Sequence, residues 1–236
     1  MIVYIHLEHD QLRQYPEHWE ASLARTLKHK YRFEELSGEP CLIMRYHRAN
    51  PAKLRELKAR AAVVSGCTSD FEHYSEAELA GLRAIFCEAA QPLIGLCGGH
   101  QLLAQAYGAP IAAMGGLAPG STVSGANPFP NSSFAAGARH ERGFQSIRVS
   151  ASHPLLAGLG DQPVIFQSHY WEVKSAPARF QVLAESELCP IQILAHESRP
   201  LFGVQFHPEA YDEAHPAGRQ LLANFFRLAG IKVTVT

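Results

Sequence analysis

The residues best suited to covalent chemistry lie in one stretch, PLIGLCGGHQLL over positions 92–103. An apolar run from Leu93 to Leu96 leads straight into Cys97, and a helical pattern follows it. Gly95-Leu96-Cys97-Gly98-Gly99 has the layout of a nucleophile elbow. Small residues on either side let a strained turn form and leave room for a substrate to approach the sulfur. A thiol at a helix N-terminus feels partial positive charge, which favours the thiolate. The Gly98 N–H is well placed to donate to an oxyanion. The chemistry these features serve is attack on a carbonyl carbon. A buried structural cysteine in a glycine-rich turn is the alternative reading.

An attacking thiol needs a base, and LFGVQFHPE at 201–209 offers one. Pro208 biases His207 toward an extended conformation, in which residues two apart point the same way. Glu209 can then hold one imidazole nitrogen while the other faces the thiol. The alternative is a solvated strand end, a frequent outcome in a chain with 13 histidines. Asp212 and His215 follow, but no H-E-x-x-H or comparable ligand spacing is present. No metal and no cofactor are expected.

These groups need elements to position them. Ile2–Ile5, Ala61–Val64 and Leu93–Leu96 are apolar runs of strand length,. Between them Pro16 opens a helical stretch with Trp19, Leu23 and Leu27 on one face,. Asn50-Pro51 forms an N-cap ahead of a helix with Leu54 and Leu57 inward. Ser75 and Glu78 have capping-box spacing before Leu79, Leu82 and Phe86. Leu102–Tyr107 is helical and closed by Gly108. Repeated strand–helix–strand units imply a parallel sheet covered on both faces. Further on, Gln145–Val149, Val164–Phe166, Phe180–Ala184, Ile191–Ala195 and Leu201–Phe206 are strand candidates without helices between them, which suggests an antiparallel extension. A last helix spans about Ala217 to Leu228. Residues 118–139, rich in Gly, Ser, Asn and Pro, read as a flexible loop insertion, either a lid, a partner-docking loop or disorder,.

The 236 residues suffice for one large α/β domain, expected over 1–236,. With 47% hydrophobic residues, 18% charged and a net charge of −1, nothing points to a nucleic-acid partner,. The N-terminal MIVYIHLEHD lacks a positive n-region, and no apolar run approaches the length of a membrane span,. Five scattered cysteines, an odd number without C-x-x-C, argue against a disulfide framework and for a reducing compartment,. A cytoplasmic protein is expected.

GLCGGHQLLAQAYG and LFGVQFHPE, in that order and with Cys97 and His207 110 residues apart, resemble the class I glutamine amidotransferases. Supporting segments extend the resemblance toward the glutaminase domains of the GMP-synthetase type. AVVSGCTSD at 62–70 lies where the family has a strand followed by an SGGP-x-S loop, and Gln167-Ser168-His169, Trp171–Val173, Glu141–Gly143 and Glu187–Ile191 also match. The resemblance implies a flavodoxin-like three-layer sandwich with a mostly parallel sheet. It also implies a Cys97–His207–Glu209 triad acting through a γ-glutamyl thioester, and an oxyanion hole from Gly98 and Cys67. Substrate contacts would come from Gly66, Gln101, Ser168 and His169, partly through backbone, while His100 is read as structural. The substrate would be glutamine or a related γ-glutamyl small molecule.

Cys67 and Thr68 stand where the family has its second Gly and Pro, so a side chain at a position needing positive φ would add strain,. No synthetase domain is expected to follow, so the ammonia would pass to a separate synthetase subunit, or the enzyme would simply hydrolyse. Two alternatives are a γ-glutamyl peptidase or hydrolase acting on conjugates, and a catalytically silent partner-binding relative.

Overall fold

The computed structural model describes residues 1–115 and 139–233. The segment read as a loop insertion, 118–139, lies outside the described residues apart from Arg139.

The chain begins β1 (Ile2–His6), α1 (Pro16–Ser37), β2 (Cys41–Arg45), α2 (Pro51–Glu56), β3 (Ala61–Val64), α3 (Glu76–Glu88), β4 (Leu93–Leu96), α4 (Gly98–Ala106) and β5 (Ile111–Ala113). It continues β6 (Glu141–Ser146), β7 (Arg148–Val149), β8 (Val164–His169), β9 (Trp171–Val173), β10 (Phe180–Glu185), β11 (Ile193–His196), β12 (Leu201–Val204) and α5 (Ala217–Leu228). The main sheet runs β2-β1-β3-β4-β12-β11-β10-β7. Its first five strands are mutually parallel, and β11, β10 and β7 add on in antiparallel fashion. Two small antiparallel ribbons, β5 with β9 and β6 with β8, lie apart from it.

The helix starts follow their sequence signals. Asn50 accepts from the Lys53 N–H ahead of α2, and Ser75 and Glu78 form a reciprocal capping box at α3,. Two cores sandwich the sheet. Leu54, Leu82 and Leu102 of α2, α3 and α4 fill one side, and Phe33, Leu222 and Phe226 of α1 and α5 fill the other. Burial at ~25 cal/mol per Å² of apolar surface makes these two layers the main source of stability. The sheet is therefore the mostly parallel, three-layer arrangement that the alternating elements imply.

α1 departs from its apolar pattern. Leu23 and Leu27, on the stripe expected to face the core, are 42% and 44% exposed, while Ser22 and Thr26 are buried. Trp19 is held by the guanidinium groups of Arg13 and Arg45, which lie over its ring, rather than by a core,. The inward face of α1 is small and polar in its first half because it walls a cavity, and only Phe33 and Leu36 near its end join the hydrophobic layer.

Because β1, β3, β4 and β12 run parallel, their carboxyl ends emerge along one edge of the sheet. Glu8, Gly66, Cys67, Cys97, Gln205 and His207 all follow closely on those ends. Loops at the carboxyl ends of parallel strands are where open α/β sheets place their ligands.

Candidate active site

Cys97 is the residue between β4 and α4, with φ 48° and ψ −106°. That conformation is costly for a side-chain-bearing residue and persists only where the surroundings enforce it. The Cys97 N–H donates to the Val204 carbonyl of β12 at 2.8 Å, and its own carbonyl accepts from Gln101 N–H at 3.0 Å. A Cβ on Gly95 would stand 2.5 Å from the Gly99 oxygen, and one on Gly99 would stand 2.7 Å from that of Val64. The small residues flanking the thiol are thus required by backbone packing, as the elbow reading expects.

His207 meets the thiol from the end of β12. Its ring lies beside the Cys97 side chain, and its Nδ1 lies 2.8 Å from Glu209 Oε1. Gly66 sits between the two groups: a Cβ there would be 2.9 Å from His207 Cε1 and 3.2 Å from Cys97 Cβ. Burial alone would favour neutral imidazole, yet the Glu209 carboxylate and the Cys97 sulfur outweigh it and hold the His207 pKa well above its ordinary value,. For Glu209, burial works against ionisation, but His207 prevails and lowers its pKa. The pair is therefore biased toward imidazolium and carboxylate.

Gly98 and Cys67 lie side by side. A Cβ on Gly98 would come within 2.8 Å of Cys67 Sγ and 3.2 Å of Cys67 N. Neither N–H has an acceptor among the described residues, leaving both as open donors beside the sulfur. The strain expected at Cys67 is absent: among the described residues only Lys58, Cys97 and Arg179 combine a side chain with positive φ. The Cys67 side chain instead takes up the space that Gly98 leaves open, with its thiol donating to the Ser69 carbonyl at 3.4 Å. Burial, reinforced by Glu8, pushes this thiol well above its ordinary pKa, so it stays protonated,.

Two functional positions were not singled out from sequence. Glu8, after β1, accepts from Thr68 N–H and Oγ1 at 2.9 and 2.8 Å and from Ser69 N–H and Oγ at 3.1 and 2.7 Å. It clamps the loop that carries Cys67, and its signal was an acidic residue at the carboxyl end of a core strand. Gln205 is fully buried, with Nε2 3.8 Å from Cys97 Sγ and Oε1 accepting from Gln101 Nε2 at 3.1 Å. Its spacing of two from His207 was the available signal.

The remaining expected positions divide. Gln101 is buried, and its amide also donates to the Trp171 carbonyl at 2.9 Å. Ser168 is exposed, and its carbonyl lies 4.0 Å from Cys97 Sγ. The His169 ring is turned inward: Nε2 is 2.8 Å from Glu141 Oε2 and Nδ1 is 3.1 Å from the Trp171 carbonyl. Only its backbone is left for a ligand. His100 is fully buried, pressed against Gly203, and burial lowers its pKa to about 3. Asp212 and His215 pair with each other at 2.8 Å on the surface. Donor atoms of Glu141, His169 and Cys189 lie within 4.8 Å of one another, as do those of Asp70, Glu72 and His73. In the first group Glu141 and His169 are already engaged with each other.

Two cavities adjoin the site, of which the smaller is lined by Cys97. A small one of about 40 Å³ is bordered by Cys97, Gly98, Gln101, Ser168 and Tyr170. A larger one of about 520 Å³ opens on the His207 side, between the sheet edge and α1.

The family model for glutamine amidotransferase class-I matches residues 26–229. The chain belongs to that family. Among its relatives is a glutamine-hydrolyzing GMP synthase subunit of Thermococcus kodakarensis, 29% identical over 193 residues that cover 77% of this chain and 83% of the relative. The like-named protein from Pyrococcus furiosus is 27% identical over 187 residues, covering 75% and 80%. A crystal structure of a glutamine amido transferase from Methylobacillus flagellatus superposes with a TM-score of 0.64 at 17% identity, covering 99% of this chain and 96% of that one. At that identity the likeness establishes the flavodoxin-like fold. The chain is thus an enzyme of a family that works through a cysteine nucleophile. No helix among its described residues is long and apolar enough to cross a membrane.

Proposed function

We propose that the chain hydrolyses the side-chain amide of glutamine through a γ-glutamyl thioester on Cys97. The ammonia passes to a separate acceptor enzyme. The observation that carries this reading is the strained, glycine-packed Cys97 set beside an imidazole whose Nδ1 is held by the buried Glu209 carboxylate.

The Cys97 thiolate attacks the amide carbon, forming the C–S bond and moving charge onto the carbonyl oxygen. That oxygen faces the open N–H groups of Gly98 and Cys67, which stabilise it. His207 gives its proton to the departing nitrogen as the C–N bond breaks. Water, losing a proton to His207, then attacks the thioester carbon and releases glutamate and the thiolate. Glu209 stabilises the imidazolium at each stage and fixes its orientation. Gly66 leaves room for the ring beside the thiol. Gln101 and the Ser168-His169 backbone border the small cavity and are assigned to the amino-acid end of glutamine.

The relatives are named as single subunits of a GMP synthase, which supports delivery of ammonia to a separate synthetase subunit. Glutamate release from glutamine tests the proposal, together with alkylation of Cys97 by 6-diazo-5-oxonorleucine. Wild-type protein that neither releases glutamate nor forms the adduct would favour a silent partner-binding relative.

A further inference from the structure

The two cavities beside the site, which share Cys67 and Ser168 in their walls, differ more than tenfold in volume, about 40 Å³ against about 520 Å³. The chemistry decides which part of a substrate each receives. Cys97 and Gly98 border only the small cavity, while Cys67 borders both, so the reacting carbonyl lies on the small side. The leaving nitrogen takes its proton from His207, so the leaving group departs on the His207 side, into the large one.

Ammonia is about the size of water, which occupies ~30 Å³ in the liquid. The large cavity instead falls in the range of small-molecule sites, roughly 300–1,000 Å³. Among the described residues, the charged side chains left without a hydrogen-bonding or ionic partner in it are cationic. Of its two carboxylates, Glu8 is engaged by Thr68 and Ser69, and Glu209 by His207. Two of its histidines, His6 and His29, are held neutral by burial, with pKa values near 4. Arg25 of α1 and Arg142 of β6 line it as well, both solvent-exposed, and neither forms an ion pair among the described residues.

We propose that the same site also hydrolyses γ-glutamyl amides whose leaving amine carries a carboxylate, seated in the large cavity against Arg25 and Arg142. The inference rests on the Cys97 thioester chemistry proposed above. The C–N bond of the conjugate breaks as His207 protonates the amine, and water resolves the thioester as it does for glutamine. Both products leave without any oxidant or co-reactant.

The test compares γ-glutamylglycine with γ-glutamylethylamide, which has a leaving amine of similar length but no charge, and with glutamine. The expected result is a kcat/KM for γ-glutamylglycine about five- to tenfold above that for the ethylamide, the scale of one charge-assisted contact at a solvent-exposed rim. The Arg25→Gln/Arg142→Gln double variant should bring that ratio close to one. A wild-type ratio at or below one, or a ratio that the double variant leaves unchanged, would overturn the proposal. Glutamine turnover without the preference sinks this inference alone. Turnover of γ-glutamylglycine without turnover of glutamine sinks the glutaminase assignment alone. No glutamate from any of the three substrates removes both.

Discussion

Replacing Glu8 with Gln tests whether the loop bearing Cys67 is held in place for catalysis or only for folding. The carboxylate is 2% exposed and accepts four hydrogen bonds from Thr68 and Ser69. A glutamine keeps one acceptor oxygen for one residue's pair and turns an NH₂ toward the other pair, donor against donor. Hydrogen bonds to a charged group contribute about 1.5–3 kcal/mol each. Two lost bonds, softened by rotation of the hydroxyls, cost about 2–4 kcal/mol on that scale. For a chain of this size each kcal/mol lowers Tm by about 2–4 °C, so Tm should fall by roughly 4–16 °C. Removing an oxyanion donor outright costs about 10²–10³ in kcat, and displacing one should cost about 10–100-fold. Steady-state glutaminase kinetics alongside thermal unfolding separate the two effects. The Thr68→Ala/Ser69→Ala double variant removes the hydroxyl bonds, retains both backbone bonds and should keep kcat within a few-fold of wild type. A Glu8→Gln protein with the lowered Tm but an unchanged kcat would refute the reasoning.

Three further outcomes follow from the same geometry. Iodoacetamide at neutral pH should label Cys97 quickly and Cys67 hardly at all, because burial and Glu8 keep the Cys67 thiol protonated,; peptide mapping of wild type and Cys97→Ser decides it. Gln205→Leu removes the amide 3.8 Å from the sulfur and the acceptor of the Gln101 amide. It should lower kcat about tenfold or more through two lost hydrogen bonds, and a loss confined to KM would count against it. Stability should fall as pH drops from about 6.5 toward 4. Burial lowers the pKa of His6 and His29 to about 4 and that of His100 to about 3, so the unfolded chain takes up protons the native state refuses,. His207 acts in the opposite sense: its raised pKa stabilises the fold at low pH, and that contribution is lost as pH rises through the folded value,. Urea midpoints against pH for His29→Gln should show a shallower slope in the 6.5–4 window than wild type, and an equal slope would show that this histidine does not titrate on unfolding.

Much of this architecture was legible from local signals. The strands at Ala61–Val64 and Leu93–Leu96 are the observed β3 and β4, and the final helix matches α5. Asn50, Ser75 and Pro51 mark helix starts because capping is settled within four residues,. The elbow and the His-Pro-Glu segment were legible for the same reason. What escaped depends on contacts far apart in the chain. β2 lacks a clean alternation and is a strand because β1 pairs with it along its whole length. β5 and β9 are three residues each and exist through pairing with one another. Glu8 reads as a loop residue until the fold brings Thr68 and Ser69 to it from 60 positions away. The inward turn of the His169 ring depends on Glu141, which is 28 residues distant.

The places where local rules fail are concentrated at one edge of the sheet. Cys97 holds a backbone conformation of the kind that costs about 1–3 kcal/mol, and α1 turns Ser22 and Thr26 inward while Leu23 and Leu27 face water,. Neither arrangement helps the fold. An unstrained residue at position 97 and an apolar inner face on α1 would each be more stable. Both make sense if the edge is built around a reacting centre: the turn presents a sulfur, and a polar helix wall leaves a cavity that hydrophobic side chains would have filled. The offset is supplied by parts that obey the rules, the glycine-packed β4–α4 junction and the two apolar layers. The same two violations bound the thiol on one side and the large cavity on the other. A substrate that used only the elbow would account for the first violation and leave the second unexplained, whereas a leaving group larger than ammonia accounts for both.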